Sequence, residues 1–462
     1  MLQRLRHPLT AVALTLLLTI PWLYTWVSHG GHVEPGAPYS AGLTVAVSGI
    51  AVLGAAFLLA WGAETAEKDV PRAFAIAVLA VLAVAPEYAV DALYAWQAGA
   101  MEGTQRGADA ANLAVANMTG ANRILIGIGW SAIALFTVYR AGASRDPAVE
   151  HREGFLRNAV TIDRDLSLEI TFLFAATVFA FVVPFSMATF NGGGSAGGIG
   201  LLDTAVLVGM YVLYIAIIVR GDVEEHEEQV GVPAYFQSFP KPARIAVVLT
   251  LFAYSGAMIY TAVHPFAMGL ETIGVQYGIP EFFMIQWIAP LASESPELIV
   301  VAYLVNKARS TAGFNALISS KLNQWTLLIG TLAVVYSIAA GHLGGLPFDE
   351  KQVAEIWITA AQSLFALAIL SNFEISVREA LVLLVLFVSQ VAIEFAVIRL
   401  YPEGVAAALS LDVLYAYTAV YLVLGGYLLI TRREELRNLF ARTETTVRDA
   451  VGSRDARPEG AD

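Results

Sequence analysis

Long runs of apolar residues recur along the chain, and short polar segments separate them. Each run is close to the ~20 residues that an α-helix needs to cross the hydrocarbon core of a bilayer. The pattern predicts twelve membrane-spanning helices, which lie near 9–27, 41–63, 72–97, 109–139, 167–190, 200–220, 244–263, 281–305, 311–340, 352–371, 377–398 and 405–431. The spans at 109–139 and 311–340 are longer than a bilayer requires, which predicts a tilt or a break in each.

The basic residues predict the orientation of these spans, because lysine and arginine collect on the cytoplasmic side of a membrane protein. With the N-terminus placed inside, only Arg106, Lys351 and Arg399 fall in outer segments, while Arg123 and Lys321 lie within spans. All the others among the 27 lysines and arginines fall on the inside. We therefore expect an integral protein of the cell (plasma) membrane with both termini in the cytoplasm. The first span also resembles a secretory signal, but no small-residue cleavage site follows it, which favours its retention.

The composition agrees with a membrane protein and excludes several kinds of site. Hydrophobic residues make up 57% of the 462 residues and charged residues only 14%, against roughly a quarter charged in soluble proteins. The chain has no cysteine, which excludes disulfides, thiolate metal sites and cysteine nucleophiles. The net charge of −12 argues against nucleic-acid binding. The expected partners are the lipid bilayer and inorganic cations, with no resident cofactor, and the oligomeric state is left open.

Two spans place a Pro-Glu pair in the middle of an apolar run. One reads AVLAVAPEYAVDALYAW, with Glu87 after the proline and Asp91 one turn further along the helix. The other reads APLASESPELIVVAYL, with Glu294 and Glu297 three residues apart. Residues three or four apart share one face of a helix. An unpaired ionised carboxylate at mid-bilayer costs several kcal/mol, so each pair needs a partner or a function.

The spans that follow these two also correspond to each other. The segment NLAVANMTGANRILIG, beginning at Asn112, aligns without a gap with NALISSKLNQWTLLIG, beginning at Asn315. Asn117 then meets Ser320, and both segments end in Leu-Ile-Gly. The chain therefore contains two copies of one pair of helices.

The two copies run in opposite directions through the membrane. In the predicted orientation, the span with Glu87 runs from inside to outside, and the span with Glu297 runs from outside to inside. One motif in two opposite orientations indicates an inverted-repeat secondary transporter, whose substrate site lies near the bilayer midplane at interrupted helices. We therefore predict an all-α polytopic membrane protein built from an inverted repeat.

The chemistry around each Pro-Glu pair favours a hard cation. Proline has no N–H, so the helix is expected to break at Pro86 and at Pro296, freeing the carbonyls of Leu82 and Ala292. Carbonyl and carboxylate oxygens together suit Na⁺ or Ca²⁺. On the second partner helix a stripe of neutral oxygens is predicted at Asn315, Ser319 and Asn323. These groups predict a cation site shared by the two repeats.

At these residues the sequence resembles the Ca²⁺/cation antiporter superfamily, which includes the sodium/calcium exchangers. Its two repeats each carry a Pro-Glu helix followed by a helix reading roughly Gly-Asn-x-x-Gly-Ser-Asn. Glu87 and Glu297 match the repeat glutamates, and ANMTGAN matches the second element in Asn117, Gly120 and Asn122. The resemblance implies ten core helices in two inverted halves of five, with a cytoplasmic loop between the halves.

The resemblance implies a division of the chain into six parts. These are an extra N-terminal helix with an outer loop at 1–40, a first repeat half at 41–220, a short acidic cytoplasmic loop at 221–243, a second repeat half at 244–398, an extra C-terminal helix at 399–431 and a cytoplasmic tail at 432–462. The repeat motifs occupy about 80–129 and about 289–332. The tail is expected to form a short surface helix followed by disorder.

The site residues follow from the repeat and from the family pattern. The predicted cation ligands are Glu87, Glu297, Asp91, Glu294, Asn117, Ser320, Asn112, Asn315 and Ser293. Arg123 and Lys321 are predicted charge partners, which either take the place of a bound ion or keep a glutamate charged. Structural alternatives stay open, because the carboxylates can pair with these bases and the neutral residues can form ordinary helix–helix hydrogen bonds. The chain departs from the family pattern at Ala83 and Val84, which stand where the family has Thr-Ser.

Two further acidic features have a structural interpretation. Glu394 lies alone in its span and predicts a local hydrogen bond. The stretch GDVEEHEEQ at 221–229 lacks EF-hand spacing and predicts a solvated acidic linker.

The expected function is secondary active cation antiport by alternating access, with Na⁺ gradients driving Ca²⁺ export. The alternative is proton-coupled antiport, either Na⁺/H⁺ or Ca²⁺/H⁺ exchange, because buried carboxylates also bind protons. A channel fits a duplicated site with proline-interrupted helices less well. An enzyme is not expected, because the sequence has no His-Glu-x-x-His motif and its histidines lie mostly in loops.

Overall fold

The computed structural model describes residues 7–33, 39–66, 68–69, 84–144, 146–185, 197–220 and 231–452. Within these ranges, ten helices are long and apolar enough to cross a membrane, judged by length and composition. They are Pro8–Ser28, Ala41–Ala66, Gln105–Ala141, Arg164–Phe185, Leu201–Arg220, Lys241–Tyr277, Ser310–Ala340, Glu350–Leu370, Val377–Leu400 and Glu403–Thr431. The prediction of an all-α polytopic membrane protein is confirmed.

The helices are numbered in chain order. They are α1 Pro8–Ser28, α2 Ala41–Ala66, α3 Ala85–Ala100, α4 Gln105–Ile124, α5 Ser131–Ser144, α6 Ser167–Ala180, α7 Leu201–Arg220, α8 Val232–Gln237, α9 Lys241–Tyr277, α10 Glu281–Asn306, α11 Ser310–Asn323, α12 Ile329–Ala340, α13 Glu350–Leu370, α14 Val377–Leu400, α15 Glu403–Thr431 and α16 Arg433–Gly452. The strands are β1 Val149–Glu150, β2 Ala159–Thr161, β3 Gly197–Ile199, β4 Leu346–Phe348 and β5 Glu374–Ser376.

Two of the predicted spans carry the Pro-Glu pairs. The span predicted at 281–305 is present as α10, and the described part of the span predicted at 72–97 is α3. Residues 70–83, which include the predicted carbonyl ligand Leu82, lie outside the described residues, and so does the acidic stretch at 221–229.

The spans predicted at 109–139 and 311–340 each contain a local change of helix type. A π-helical segment, Leu125–Trp130, joins α4 to α5, and a second one, Gln324–Leu328, joins α11 to α12. The first segment begins at Leu125 and the second ends at Leu328, which are aligned residues of the two repeats. Short π-helical segments occur frequently at functional sites. The length of these two spans predicted a tilt or a break, and the structure shows a wider, π-helical turn in both copies.

The prolines of the Pro-Glu pairs begin or lie within helices. Pro86 is the second residue of α3, a position where the missing N–H costs nothing. Helix α10 runs without interruption from Glu281 to Asn306, through Pro296. The predicted break at Pro296 is therefore wrong, because the loss of one hydrogen bond does not interrupt a helix whose neighbouring turns are intact.

The chain divides into two compact units, Met1–Tyr94 with Glu224–Pro296 and Ala95–Val223 with Glu297–Asp462. Each unit takes segments from both predicted repeat halves, so the units do not coincide with the halves. The divisions fall within α3 and α10, and the first unit holds the first repeat glutamate while the second unit holds the other.

In the first unit, α2 packs along α9, and α1 lies against α2. Small residues allow this close approach, as they commonly do between membrane helices. A Cβ added at Gly49 would lie 2.8 Å from the Phe266 ring, and one added at Gly269 would lie 2.6 Å from the Val45 side chain. The short helix α8 closes one end of the bundle by placing Phe236 in a hydrophobic cluster with residues of α2 and α9.

In the second unit, α13 is almost entirely buried and packs against α4, α6 and α15. A small antiparallel sheet lies at each of its ends. Before α13, β3 pairs with β4, with Gly198 opposite Pro347. After α13, β1, β2 and β5 form a three-stranded sheet in which Val160 lies opposite Ile375. The sheets therefore hold the two ends of the central helix in place.

The C-terminal helix α16 follows the last span directly. It packs against α6, where the Thr443 hydroxyl donates to the carbonyl of Ser167 at 2.8 Å and lies 2.7 Å from the Thr171 hydroxyl. The surface helix predicted in the tail is therefore present, and its inner face rests on the start of a span.

Candidate cation-binding site

Helix α3 places two carboxylates of the first unit on one buried face. Glu87 is 2% exposed and Asp91 is 0% exposed, and the two are one turn apart. One turn beyond Asp91, the hydroxyl of Tyr94 donates to Glu271 of α9 at 2.7 Å. Three acidic side chains of the first unit are therefore associated with the buried side of α3.

Helix α10 contributes the second acidic pair. Glu294 is 2% exposed and belongs to the first unit. The hydroxyl of its neighbour Ser293 donates to the carbonyl of Pro290 at 3.2 Å, within the same helix. Because its proton is directed to the backbone, the Ser293 oxygen keeps lone pairs that can face a cation.

Two predicted ligands of the second unit are in direct contact. The hydroxyl of Ser320 on α11 donates to the carboxylate of Glu297 on α10 at 3.2 Å. Both side chains are half-buried. Ser320 was selected by its alignment with Asn117, and the structure places it in contact with the glutamate of its own repeat.

The ammonium group of Lys321 is buried in the second unit and bound by oxygens. It donates to the side-chain oxygen of Asn122 at 2.6 Å and to the carbonyl oxygen of Asn122 at 3.2 Å. It also lies 4.5 Å from the centre of the Trp325 ring, within cation–π range. Lys321 therefore joins α4 to α11 through an asparagine that belongs to the family motif.

The buried guanidinium of Arg123 has an acidic partner that the sequence analysis missed. It forms an ion pair with Glu355 of α13 at 2.9 Å, and both side chains are 0% exposed. It also donates to the side-chain oxygens of Gln362 and Gln390. Glu355 is an acidic residue within a predicted span, and such a residue is by itself a sign of a partner or a function.

Glu394 extends this polar network along α14. It accepts a hydrogen bond from Gln390 at 2.9 Å, so the predicted local hydrogen bond is confirmed. It also pairs with Lys351 at 2.9 Å. Both carboxylate oxygens of this buried side chain are therefore used.

The remaining predicted ligands differ in their surroundings. Asn117 is 0% exposed. Asn112 exchanges two hydrogen bonds with Asp349, the N-cap residue of α13, at 3.0 and 3.1 Å. These hydrogen bonds are of the helix–helix kind that the sequence analysis gave as the alternative to a ligand role. The predicted stripe on α11 is not evenly buried, because Ser319 is exposed while Asn323 is buried and Asn315 is half-buried.

A cluster of acidic or imidazole groups is not found in the described part of the chain: there, no three His, Asp or Glu side chains lie close enough together to hold a metal ion. The oxygens that the predicted residues offer are carboxylates together with amide, hydroxyl and carbonyl groups. Such mixed oxygen sets bind Na⁺ and Ca²⁺.

Comparison with known proteins identifies the family. The family model of the sodium/calcium exchanger protein matches residues 40–220 and 247–396. The H⁺/Ca²⁺ exchanger CAX is 40% identical to this chain, with a TM-score of 0.79, and the match covers 95% of this chain and 98% of that one. No curated protein sequence matches significantly.

More distant solved structures also match. The Ca²⁺/H⁺ antiporter protein YfkE is 15% identical with a TM-score of 0.56, over 84% of this chain and 98% of that one. The sodium–calcium exchanger NCX_Mj is 16% identical with a TM-score of 0.47, over 76% of this chain and 98% of that one. The predicted fold class, an inverted repeat of membrane helices, is confirmed. The chain belongs to the sodium/calcium exchanger family of the Ca²⁺/cation antiporter superfamily.

Proposed function

We propose that the protein is a secondary active antiporter that exchanges Ca²⁺ for protons across the cell membrane. The observation that carries this proposal is the 40% identity, over 95% of the chain, to a protein described as an H⁺/Ca²⁺ exchanger. Sodium is the second candidate counter-ion, because the family model that matches the chain is that of sodium/calcium exchangers. The sequence analysis placed Na⁺ first as the counter-ion and the proton second. The proposal reverses that ranking, because the repeat glutamates alone do not distinguish a proton from Na⁺.

The proposed cation ligands are the repeat glutamates, Glu87 and Glu297, each acting with groups of its own unit. The burial of Glu87 and Asp91 supports the first, because buried carboxylates in a membrane need a positive charge or a proton. The contact from Ser320 supports the second, because a hydroxyl that touches a carboxylate can share a bound cation with it. Glu294 and the oxygens of Ser293, Asn117 and Asn315 complete the proposed ligand set.

The transport of Ca²⁺ is coupled to that of protons because both ions compete for the same carboxylates. An ionised carboxylate binds Ca²⁺, whereas a protonated one does not, so one ion must leave before the other binds. A site that holds neither ion would carry more buried negative charge than an occupied one, which is costly in a membrane and opposes the change between inward and outward states. Exchange therefore proceeds only when one of the two ions is bound.

The buried bases hold the scaffold rather than the transported ion. The Lys321 ammonium is placed on Asn122, and the Arg123 charge is offset by Glu355. In this proposal both positive charges are permanent, so they brace α4 against α11 and α13 during exchange without adding to the ions carried.

Transport by the purified chain in liposomes tests the proposal. Ca²⁺ uptake is followed with a trapped indicator under a pH gradient without Na⁺, and then under a Na⁺ gradient at equal pH. Uptake under the pH gradient alone is expected, and uptake only under the Na⁺ gradient would assign Na⁺ instead. Ca²⁺ flux with neither counter-ion would indicate a channel.

Two site variants and one control complete the experiment. Glu87→Gln and Glu297→Gln are expected to abolish exchange, because each removes a ligand charge. Glu169→Gln is the matched control, since Glu169 is also a buried glutamate of a span but is held by the Tyr214 hydroxyl at 2.9 Å. Normal exchange in both site variants would contradict the ligand assignment.

We also propose that both termini lie in the cytoplasm. The absence of native cysteine makes this simple to test with single cysteines. Leu343→Cys, in the loop after α12, is expected to react with an impermeant maleimide on intact cells, while Phe155→Cys, in the loop after α5, reacts only after permeabilisation. Leu343 and Phe155 are 82% and 80% exposed, so both positions are accessible to the reagent. Labelling of Phe155→Cys on intact cells, with Leu343→Cys labelled only after permeabilisation, would show that the termini lie outside.

A further inference from the structure

A cavity of about 490 Å³ opens in the second unit beside α16. Its lining includes two arginines, Arg164 and Arg442, together with the polar side chains of Asn372, Asn438, Glu435 and Thr445. This volume is within the ~300–1,000 Å³ range of small-molecule sites. The predicted transport residues are not among those that line it.

The cavity lies where several spans end together. Arg164 precedes α6 by three residues, and Asn372 follows the last residue of α13 by two. Helix α16, which supplies the other wall, begins two residues after α15 ends at Thr431. Residues just beyond the ends of spans lie at the level of the lipid headgroups. The cavity therefore opens at the polar boundary of the membrane.

The positive charge of the cavity is available to a ligand. Within the described part of the chain, neither Arg164 nor Arg442 belongs to an ion pair, and both are exposed. The neighbouring Arg432 differs, because it pairs with Glu379 and donates to the carbonyl of Ile369 at 2.7 Å. The positive charge of the cavity thus comes from the two arginines that the fold itself does not use.

We propose that this cavity binds the phosphate headgroup of an anionic lipid. Arginine forms paired, charge-assisted hydrogen bonds to phosphate oxygens. Asn438 adds a neutral amide donor near Arg442 on the face of α16 that lines the cavity. The position at the ends of α6, α13 and α15 selects a lipid over free phosphate, because acyl chains attached to the headgroup would lie along those spans. Basic pockets between the inner ends of spans bind anionic headgroups by the same chemistry.

Native mass spectrometry of the detergent-purified full chain tests this site. The chain is titrated with phosphatidylglycerol, with phosphatidylcholine of the same acyl chains, and with inorganic phosphate. One phosphatidylglycerol is expected to bind in preference to phosphatidylcholine. Equal binding of the two lipids, or displacement of phosphatidylglycerol by inorganic phosphate at similar concentration, would overturn the lipid assignment.

Charge variants link the binding to the cavity. Arg164→Gln with Arg442→Gln is expected to weaken phosphatidylglycerol binding roughly 30-fold, which is about fivefold for each of the two basic residues removed near an anionic membrane. Arg433→Gln with Arg437→Gln is the matched control, because it also removes two positive charges, from exposed positions of α16 outside the cavity lining. If the control weakens binding as much as the cavity double variant, the binding is unspecific and the proposal fails.

A gain-of-binding variant excludes misfolding as the explanation. Glu435 is the acidic side chain among the lining residues, so Glu435→Gln is expected to tighten phosphatidylglycerol binding several-fold. A damaged protein cannot produce this gain. Unchanged or weaker binding in Glu435→Gln would contradict the proposed electrostatics.

Discussion

The ammonium group of Lys321 lies 2.6 Å from the side-chain oxygen of Asn122 and 3.2 Å from its carbonyl oxygen. The lysine comes from the second repeat and the asparagine from the first, so the pair joins the two copies of the partner helix. Two oxygens around one positive charge resemble part of a cation site. In this contact the first copy supplies the oxygens and the second copy supplies a fixed charge.

The first prediction concerns this contact. Lys321→Met keeps the aliphatic stem but leaves the Asn122 oxygens without their ammonium donor, which costs about 1–3 kcal/mol for a buried polar group. We expect a lower unfolding temperature in detergent, measured by the fluorescence of the intrinsic tryptophans. Lys307→Met, at an exposed position of the loop after α10, is the control and should lower the unfolding temperature less than Lys321→Met does. Equal stability of the two variants would show that the contact adds nothing.

The second prediction concerns the Ser320–Glu297 contact. Ser320→Ala removes the hydroxyl that touches the carboxylate, and we expect a weaker apparent Ca²⁺ affinity in liposome uptake. Hydrogen bonds to charged groups contribute about 1.5–3 kcal/mol, and partial exposure reduces this, so a change of roughly tenfold is the upper range. Ser319→Ala alters the adjacent, exposed hydroxyl and serves as the control. The proposed ligand role of Ser320 is untenable if both variants take up Ca²⁺ with wild-type affinity.

The third prediction concerns the buried ion pair between Arg123 and Glu355. Glu355→Leu removes the ion-pair partner of a buried guanidinium, and removing one member of such a pair costs about 3–5 kcal/mol. Arg123→Met combined with Glu355→Leu removes both charges and should recover most of this loss, because well-packed apolar replacements are often neutral. The measurement is the denaturant dependence of unfolding for the single and double variants.

An exposed ion pair provides the comparison for the single and double variants of the buried pair. Arg448 and Glu444 are 2.7 Å apart on α16, with side chains 76% and 70% exposed. Breaking an exposed pair of this spacing costs about 0.5 kcal/mol or less. A double variant of the buried pair that is as unstable as the single variant would mean that the surrounding glutamines, rather than the charge balance, determine stability.

The fourth prediction concerns pH at the loops after α3 and α12. The imidazole of His342 lies 2.6 Å from the carboxylate of Glu102, which also accepts a hydrogen bond from Tyr336 at 2.9 Å. The hydrogen bond to Glu102 raises the pKa of His342, and the hydrogen bonds from His342 and Tyr336 lower the pKa of Glu102. The contact is therefore strongest between these two pKa values.

The sign of the pH dependence follows for each partner. The contribution of His342 is fully present below its ordinary pKa and is lost as the pH rises through its raised pKa. The contribution of Glu102 is present above its ordinary pKa and is lost as the pH falls through its lowered pKa. In Glu102→Gln we expect the titration midpoint of His342, followed by NMR of ¹³C-labelled histidine, to move to lower pH. A midpoint that does not move would show that the two groups are not coupled in solution.

The sequence predicted those residues of the candidate site that stand out in a local pattern, such as a carboxylate within an apolar run or a position in a repeated motif. Glu87 and Glu297 stand out because a carboxylate in an apolar run is costly and because the motif is repeated. Ser320 was found through its aligned partner, and its contact with Glu297 agrees with that choice. Asn112 was predicted as a ligand by the same alignment, yet its contacts are with Asp349, which is far away in sequence.

By itself, the sequence determined the helical spans, the inverted repeat and the identity of the ionisable residues placed in the membrane, because these depend on local hydrophobicity and on helix periodicity. Only the tertiary structure decided which partner each buried charge takes. Arg123 meets Glu355 and Lys321 meets Asn122 because helices distant in the chain pack side by side. The structure also revealed two features of helix geometry that the sequence did not predict. These are the π-helical segments and the uninterrupted path of α10 through Pro296.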